Sequence, residues 1–445
     1  MTAFSVDDGA PAPAAETPVR KARPTLYAWY VAVALTLTYV LSMMDRKLPF
    51  IMAESIKRDL KLDDTQLGLL TGMAFTLVYA VSAIPIAGLA DRRSRKWIIG
   101  IAVAVWSLMT SLGGFAGNFL QLAAARSGVA IGESASSPAA MSLLTDYFPP
   151  NFRARAIGLY MAGAQLGVLI GLPLGGVMND LSSWRIAMFL IGAPGLLLAL
   201  LVVTTVREPK RKSAATKAVD VGGPPVTSTL GGGLAALFAR PTYRHLFVGG
   251  MLHNTANAGI LSFGPAYVIR TFHLTASQTG LTYGVTIGVA GVLGAAFGGV
   301  AADWLRVRGA GRPLIAFAIA LVIGVPCLIG ALLTKDYNTF LALSAIPTFV
   351  GMCYAGPSFS TIHAIVPAHH RALATAVFLL ALNGIGLSAG ALITGMISDH
   401  FSALGSSGSL RVALIIMSLP GLWGALHYTI AAFKVKADLA FGDAD

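Results

Sequence analysis

Of 445 residues, 55% are hydrophobic and 12% charged, against about 25% charged residues in a soluble domain. The chain therefore reads as an integral membrane protein. Its formal net charge of +12 would suit a nucleic-acid binder, but the bases concentrate in short segments between apolar runs, which argues against that partner.

Residues 1–24 are rich in Ala and Pro, end in Arg20, Lys21 and Arg23, and have no apolar core. They read as a disordered cytoplasmic tail rather than a cleavable signal peptide. Apolar stretches able to cross ~30 Å of hydrocarbon as helices follow at 27–53, 67–89, 97–116, 119–145, 155–179 and 185–206. After a Lys-, Gly- and Pro-rich interruption at 207–243, six more come at 244–270, 278–302, 312–334, 338–365, 371–398 and 410–433. The expected fold is all-α with twelve transmembrane helices in two bundles, 25–206 and 244–433, joined by a flexible cytoplasmic linker and followed by a cytoplasmic tail at 434–445. With the N-terminus inside, inner segments hold 22 Lys and Arg and outer loops 7, which predicts both termini cytoplasmic.

The two bundles repeat one another. Thr65-Gln66-x-Gly68-x3-Gly72 recurs as Ser277-Gln278-x-Gly280-x3-Gly284, and Asp91 as Asp303, at an offset of 212. Gly167-x3-Gly171-x4-Gly176-x3-Asp180 recurs as Gly386-x3-Gly390-x4-Gly395-x3-Asp399 at an offset of 219. An internal duplication of six-helix units is the architecture of major facilitator transporters, with the substrate site at the midplane between the halves.

Helix one carries Asp45, Arg46 and Lys47 inside its apolar run. A charge at that depth costs at least ~2.5–3.5 kcal/mol on insertion scales and survives where it is paired or faces a polar cavity. Helix four carries Arg126 and Glu133, seven residues apart and so on one face, with Gly128 and Gly132 permitting close helix approach. Counted from the outer helix ends at 1.5 Å per residue, Arg126 and Asp45 both lie roughly 12–13 Å deep. Arg126 is therefore expected to face Asp45, with Glu133 two turns nearer the cytoplasm. Lys47 has no predicted partner. At the repeat-equivalent positions stand Asn257 for Asp45, Ala258 for Arg46 and Met352 for Glu133, so a proton site would belong to the first half alone. The second half offers His253, Asn254, Asn257 and Tyr354 as neutral contacts.

The loop after helix two reads Gly88-Leu89-Ala90-Asp91-Arg92-Arg93-Ser94-Arg95-Lys96. Preceded by Ala87, it resembles the major facilitator signature Gly-x-Leu-Ala-Asp-Arg-x-Gly-Arg-Arg, with two departures, Ala87 where the first Gly is usual and Ser94 where the second is. Ser94 and the Asp-Arg pair of helix one are more similar to the Spinster branch in its bacterial form. The resemblance implies a cytoplasmic gate built from Asp91, Arg92, Arg95 and Asp303, and a proton-linked transporter of amphipathic anionic lipids such as lysophospholipids or sphingoid phosphates. Asp45 and Glu133 would carry protons, Arg46 and Arg126 would bind the head group, and the protein would act as a monomer in the plasma membrane. An anion:cation symporter of small organic acids, a multidrug exporter and a non-transporting sensor are the alternatives. No nucleotide-binding loop or nucleophile-base constellation appears. Cys327 and Cys353 have no metal-ligand spacing, and His363, His369 and His370 have no carboxylate near them in sequence, so neither an enzyme nor a cofactor or metal site is expected; protons are the coupling ion.

Overall fold

The computed structural model describes residues 24–90, 94–209 and 230–442, which form helices and no strand. In the first half these are α1 (Leu26–Ile51), α2 (Ala53–Leu60), α3 (Asp64–Thr71) running into α4 (Met73–Ala90), α5 (Arg95–Gly113), α6 (Phe119–Tyr147), α7 (Pro150–Leu181) and α8 (Trp184–Thr205). The second half begins with α9 (Leu230–Ala239), α10 (Pro241–Phe272) and α11 (Ala276–Thr279), which a π-helical turn at Gly280–Gly284 joins to α12 (Val285–Arg306). It continues with α13 (Arg312–Leu333), α14 (Tyr337–Met352), α15 (Ala355–Ile365), α16 (Arg371–Leu379), a π-helical stretch Leu380–Leu387, α17 (Ser388–His400), α18 (Gly405–Ser418) and α19 (Pro420–Gly442).

Ten helical stretches among the described residues are long and apolar enough to cross a membrane. Helices α6 and α10 fall outside that set despite their 29 and 32 residues, because α6 carries Arg126, Glu133 and a run of serines and α10 carries Arg, His and Asn side chains. The charges of α1 lie within a continuous helix that passes through Pro49. Two stretches differ from expectation. Gly231 to Gly233, read as flexible linker, lie in α9, whose Leu237 is buried and whose Phe238 packs edge-on to Tyr243 and Phe247. Residues 434–442, read as tail, continue α19, because the Asp438 carboxylate accepts the Thr242 amide at 2.8 Å and so caps α10. Local sequence showed glycine and charge there but not the apolar face and cap that hold these turns.

The duplication is visible in backbone detail. Asp63 and Thr275 each close a capping box, with Gln66 and Gln278 respectively, and Lys61 and His273, 212 apart, both adopt left-handed conformations with φ of 53° and 56°. Each repeat motif then meets the other half. The Asp399 carboxylate at the end of α17 accepts the Asp64 and Thr65 amides at 3.0 and 2.7 Å, and the Asp180 carboxylate at the end of α7 accepts the Ser277 amide at 2.7 Å. Carboxylates at helix N-termini satisfy open backbone donors and align with the helix dipole.

These contacts close the face of the molecule opposite the described chain ends, the distal face. Gly176 of α7 lies against the Ala276 carbonyl, and Gly395 of α17 against the Asp64 carbonyl, too close for a Cβ at either place. A side chain there must push the halves apart against backbone. Gly176→Val and Gly395→Val are therefore expected to open the distal face, seen as a longer distance between spin labels at Lys61→Cys and Ser402→Cys after Cys327 and Cys353 are replaced. An unchanged distance would remove these glycines from the seal.

Candidate functional site

At mid-depth, α1, α4, α5 and α6 bring four ionisable side chains together. Along an α-helix, successive residues turn by 100°, so Asp45 and Arg46 leave α1 in different directions. Asp45 points toward α5, where the Thr110 hydroxyl donates to Oδ2 at 3.2 Å. Arg46 points between α4 and α6. Its Nε donates to Glu133 Oε2 at 2.5 Å, with 26% of the Arg46 side chain exposed and none of Glu133. Arg126 is level with Asp45, as helix depth predicts, but Nη1 donates to the Asp45 main-chain carbonyl at 3.3 Å rather than to its carboxylate.

The expected Asp45–Arg126 ion pair is thus replaced by an Arg46–Glu133 pair. The reason is azimuth and reach. Depth places Arg126 beside Asp45, whereas Arg46, leaving α1 in another direction, meets Glu133. Asp45 Oδ1, Arg126 Nε and Glu133 Oε1 are buried without a hydrogen-bond partner among the described residues, so the cluster keeps unused donors and acceptors.

Two aromatic residues of α4 complete it. The Phe75 ring lies 5.0 Å from the Arg46 guanidinium carbon and 4.9 Å from that of Arg126, and the Tyr79 ring 4.6 Å from that of Arg46. A ring face offers each cation about 0.5–2 kcal/mol, which offsets part of the repulsion between two guanidiniums. Sequence reading missed Phe75, Tyr79 and Thr110, since one aromatic or hydroxyl residue in an apolar helix gives no signal of what it faces.

The neutral residues of the second half line a different wall. His253 shares a hydrogen bond between Nε2 and the Gly351 carbonyl, 3.1 Å, and its ring is 5.8 Å from that of Tyr354. Asn254 is buried on α10, with Gly386 against its Cβ. His253 and Asn257 border a small cleft whose walls are mainly apolar, with Leu321, Val325 and Leu328 among them.

Asp91 and Arg92 lie outside the described residues. Arg95, expected in a gate between halves, is bound inside the first half. It donates to Asp146 at 2.5 Å and to Glu208 at 2.8 Å, and Glu208 also accepts the Lys96 amide and the Ser94 hydroxyl. Partial burial would raise the Glu208 carboxyl, but the Lys96 amide, Arg95 and Ser94 together hold it below its ordinary value. The stability it lends is present above the ordinary carboxylate range and is lost as pH falls through the lowered value. Asp303 is exposed and makes no ion pair or hydrogen bond among the described residues.

A second charged network closes the distal face, and sequence reading missed it too. Arg270 of α10 grips Asp64 of α3 with both terminal nitrogens, at 2.8 and 2.7 Å, and gives Nε to Glu54 of α2 at 2.7 Å. Lys57 and Ser398 also donate to Asp64, at 2.5 and 2.6 Å. Contacts between the halves concentrate here and at mid-depth, through α3 with α17, α7 with α11 and α1 with α10.

The Major Facilitator Superfamily model matches residues 35–391. The chain belongs to that superfamily. It is 32% identical to an MFS-type efflux pump of Mycolicibacterium smegmatis over 93% of this chain and 94% of the pump. It is 27% identical to a probable L-galactonate transporter of Escherichia coli, over 87% of this chain and 86% of that one. Among solved structures it is similar to a bacterial homolog of the human lysosomal transporter Spinster, inward-facing and unoccupied, with a TM-score of 0.83, 28% identity, and coverage of 94% of this chain and 99% of that one. The chain is a multi-pass membrane transporter of the Spinster type, and not an enzyme.

Proposed function

We propose that the chain is a proton-coupled secondary transporter of an amphipathic anion, working by alternating access between its two halves. The observation that carries this reading is the bonded Arg46–Glu133 pair beside Arg126, at mid-depth between closed distal contacts and the opposite face. Twelve spans, counting α6 and α10, put the described ends on one face, and the excess of Lys and Arg there makes that face cytoplasmic. The closed distal face is then the outer one. Protonation of Glu133 releases Arg46, whose planar fork can meet a phosphate or carboxylate bidentately. Asp45, bonded to Thr110 behind α1, is the second proton carrier, and Arg126 the second head-group contact. The apolar cavity beside His253 and Asn257 favours a substrate with a hydrocarbon part.

The competing reading is an organic-anion symporter, favoured by the likeness to the L-galactonate transporter, for which a polar head group alone suffices. Protein in liposomes with an imposed pH gradient tests both, using lysophosphatidate, sphingosine phosphate and galactonate. Gradient-driven flux of a lipid anion, lost in Asp45→Asn and in Glu133→Gln, is expected. Flux of galactonate alone would select the symporter, and undiminished gradient-driven flux in both variants would sink the proton assignment.

A further inference from the structure

Lys47 differs from the other mid-depth bases: Arg46 pairs with Glu133 and Arg126 donates to the Asp45 carbonyl, whereas Lys47 has no polar partner among the described residues. Its ammonium lies 4.9 Å from the Phe50 ring centre and has no hydrogen bond or ion pair among the described residues. Of the two mid-depth carboxylates, Glu133 is bonded to Arg46 and Asp45 to the Thr110 hydroxyl, and neither is bonded to Lys47. No acid of a packed neighbour answers it. Asp180 and Asp303 sit at the ends of α7 and α12, and α10 has no acid. Three bases, Arg46, Lys47 and Arg126, thus face two acids, leaving one positive charge when all are ionised.

Lys47 cannot reach distal water. The turn of chain above it, Phe50 through Ala53, is at most 7% exposed. On α1 it stands between Met43 and Ile51, which with Met44 and Leu48 pack against Gly167, Gly171 and Gly175 of α7. The side chain turns out of that seam, since its ammonium is over Phe50, one turn above Arg46 and on the Arg46 side of the helix. Phe50 belongs to the apolar cluster that contains Phe263, Tyr267 and Tyr283 of the other half. An unpaired ammonium held half-buried at such a place stays charged only with a counter-anion.

We propose that Lys47 is the resident anion contact of the central site, binding the phosphate or carboxylate of the substrate before Glu133 is protonated. Arg46, once released, supplies the second contact, so the preferred ligand is a head group able to carry two negative charges. The proposal rests on the transport reading for its ligand class, yet equilibrium binding without a gradient tests it separately.

The probe is dodecyl phosphate, with inorganic phosphate and dodecyl sulfate as companion arms, titrated into purified protein in a neutral detergent. A charge-assisted contact is worth about 1.5–3 kcal/mol, or roughly ten- to a hundredfold in affinity. Lys47→Met should weaken dodecyl phosphate by at least about tenfold on that scale, while Lys47→Arg retains it. Dodecyl phosphate bound more tightly than dodecyl sulfate by the unmodified protein supports the two-charge head group, and binding of inorganic phosphate alone makes the site one for a free anion. Equal affinity in the unmodified and Lys47→Met proteins, or no anion binding by the unmodified protein, overturns the proposal. Loss of gradient-driven flux with this binding pattern intact would count against the transport reading alone.

Discussion

Arg270→Met is expected to open the distal face of the transporter. The substitution strips Asp64 of a bidentate partner and Glu54 of its only ion pair among the described residues, where the Arg270 and Asp64 side chains are 4% and 3% exposed. Breaking a buried pair by removing one partner costs about 3–5 kcal/mol. Lys57 and Ser398 still donate to Asp64, so the lower end, about 3 kcal/mol, applies. Because opening exposes the orphaned carboxylates to water, nearly all of that cost is felt in the distal-closed state. A shift of about 3 kcal/mol changes the ratio of the two conformations by roughly 150-fold. The check is labelling of Leu172→Cys, buried against Gly280 and Gly284, with an impermeant maleimide in a background lacking Cys327 and Cys353. Faster labelling in Arg270→Met is the expected result, and equal rates would show that the helix caps at Asp180 and Asp399 hold the seal without the ion pairs.

The second large effect is at the mid-depth pair. In Arg46→Met the fully buried Glu133 loses its bonded cation, and an uncompensated buried carboxylate takes up a proton instead of remaining ionised. Transport should then lose its dependence on the pH gradient and fall by at least about a hundredfold, the equivalent of roughly 2.7 kcal/mol. Arg46→Lys retains a charge but neither the fork nor the planar face that meets Phe75 and Tyr79, so only partial recovery is expected. Initial rates in liposomes at matched and opposed pH decide the matter. A gradient-dependent rate in Arg46→Met equal to that of the unmodified protein would separate the pair from coupling.

Much of the architecture was legible in the chain. Spans of apolar residues mark the helices because an unsatisfied backbone in hydrocarbon is costly, and the repeated Gly and Asp spacings marked the duplication. Those same motifs proved to build the distal seal. Asp180 and Asp399 cap helices of the opposite half, a role their spacing could not reveal because it depends on a partner about a hundred or more residues away. Arg270 and Arg58, at repeat-equivalent positions, look alike in sequence, yet Arg270 alone meets Asp64. The position of Asp64 in the second repeat is Ala276, so the ion lock is one-sided while the caps are twofold.

The candidate site divides in the same way. Sequence placed Asp45, Arg46, Arg126 and Glu133 at mid-depth in the first half, because rise per residue converts position along a helix into depth. It could not choose among their pairings. Pairing depends on the rotation of each helix about its own axis, set by packing such as that of Met43 and Met44 on the glycines of α7. Composition, helix spacing and charge by themselves determined a membrane-embedded, duplicated bundle with acids and bases in its first half. Only the tertiary structure decided that Arg46 holds Glu133, that Arg95 serves its own half, and that Lys47 stands without a counter-ion. Those three outcomes turn on side-chain direction and reach across helices, which no local pattern of residues encodes.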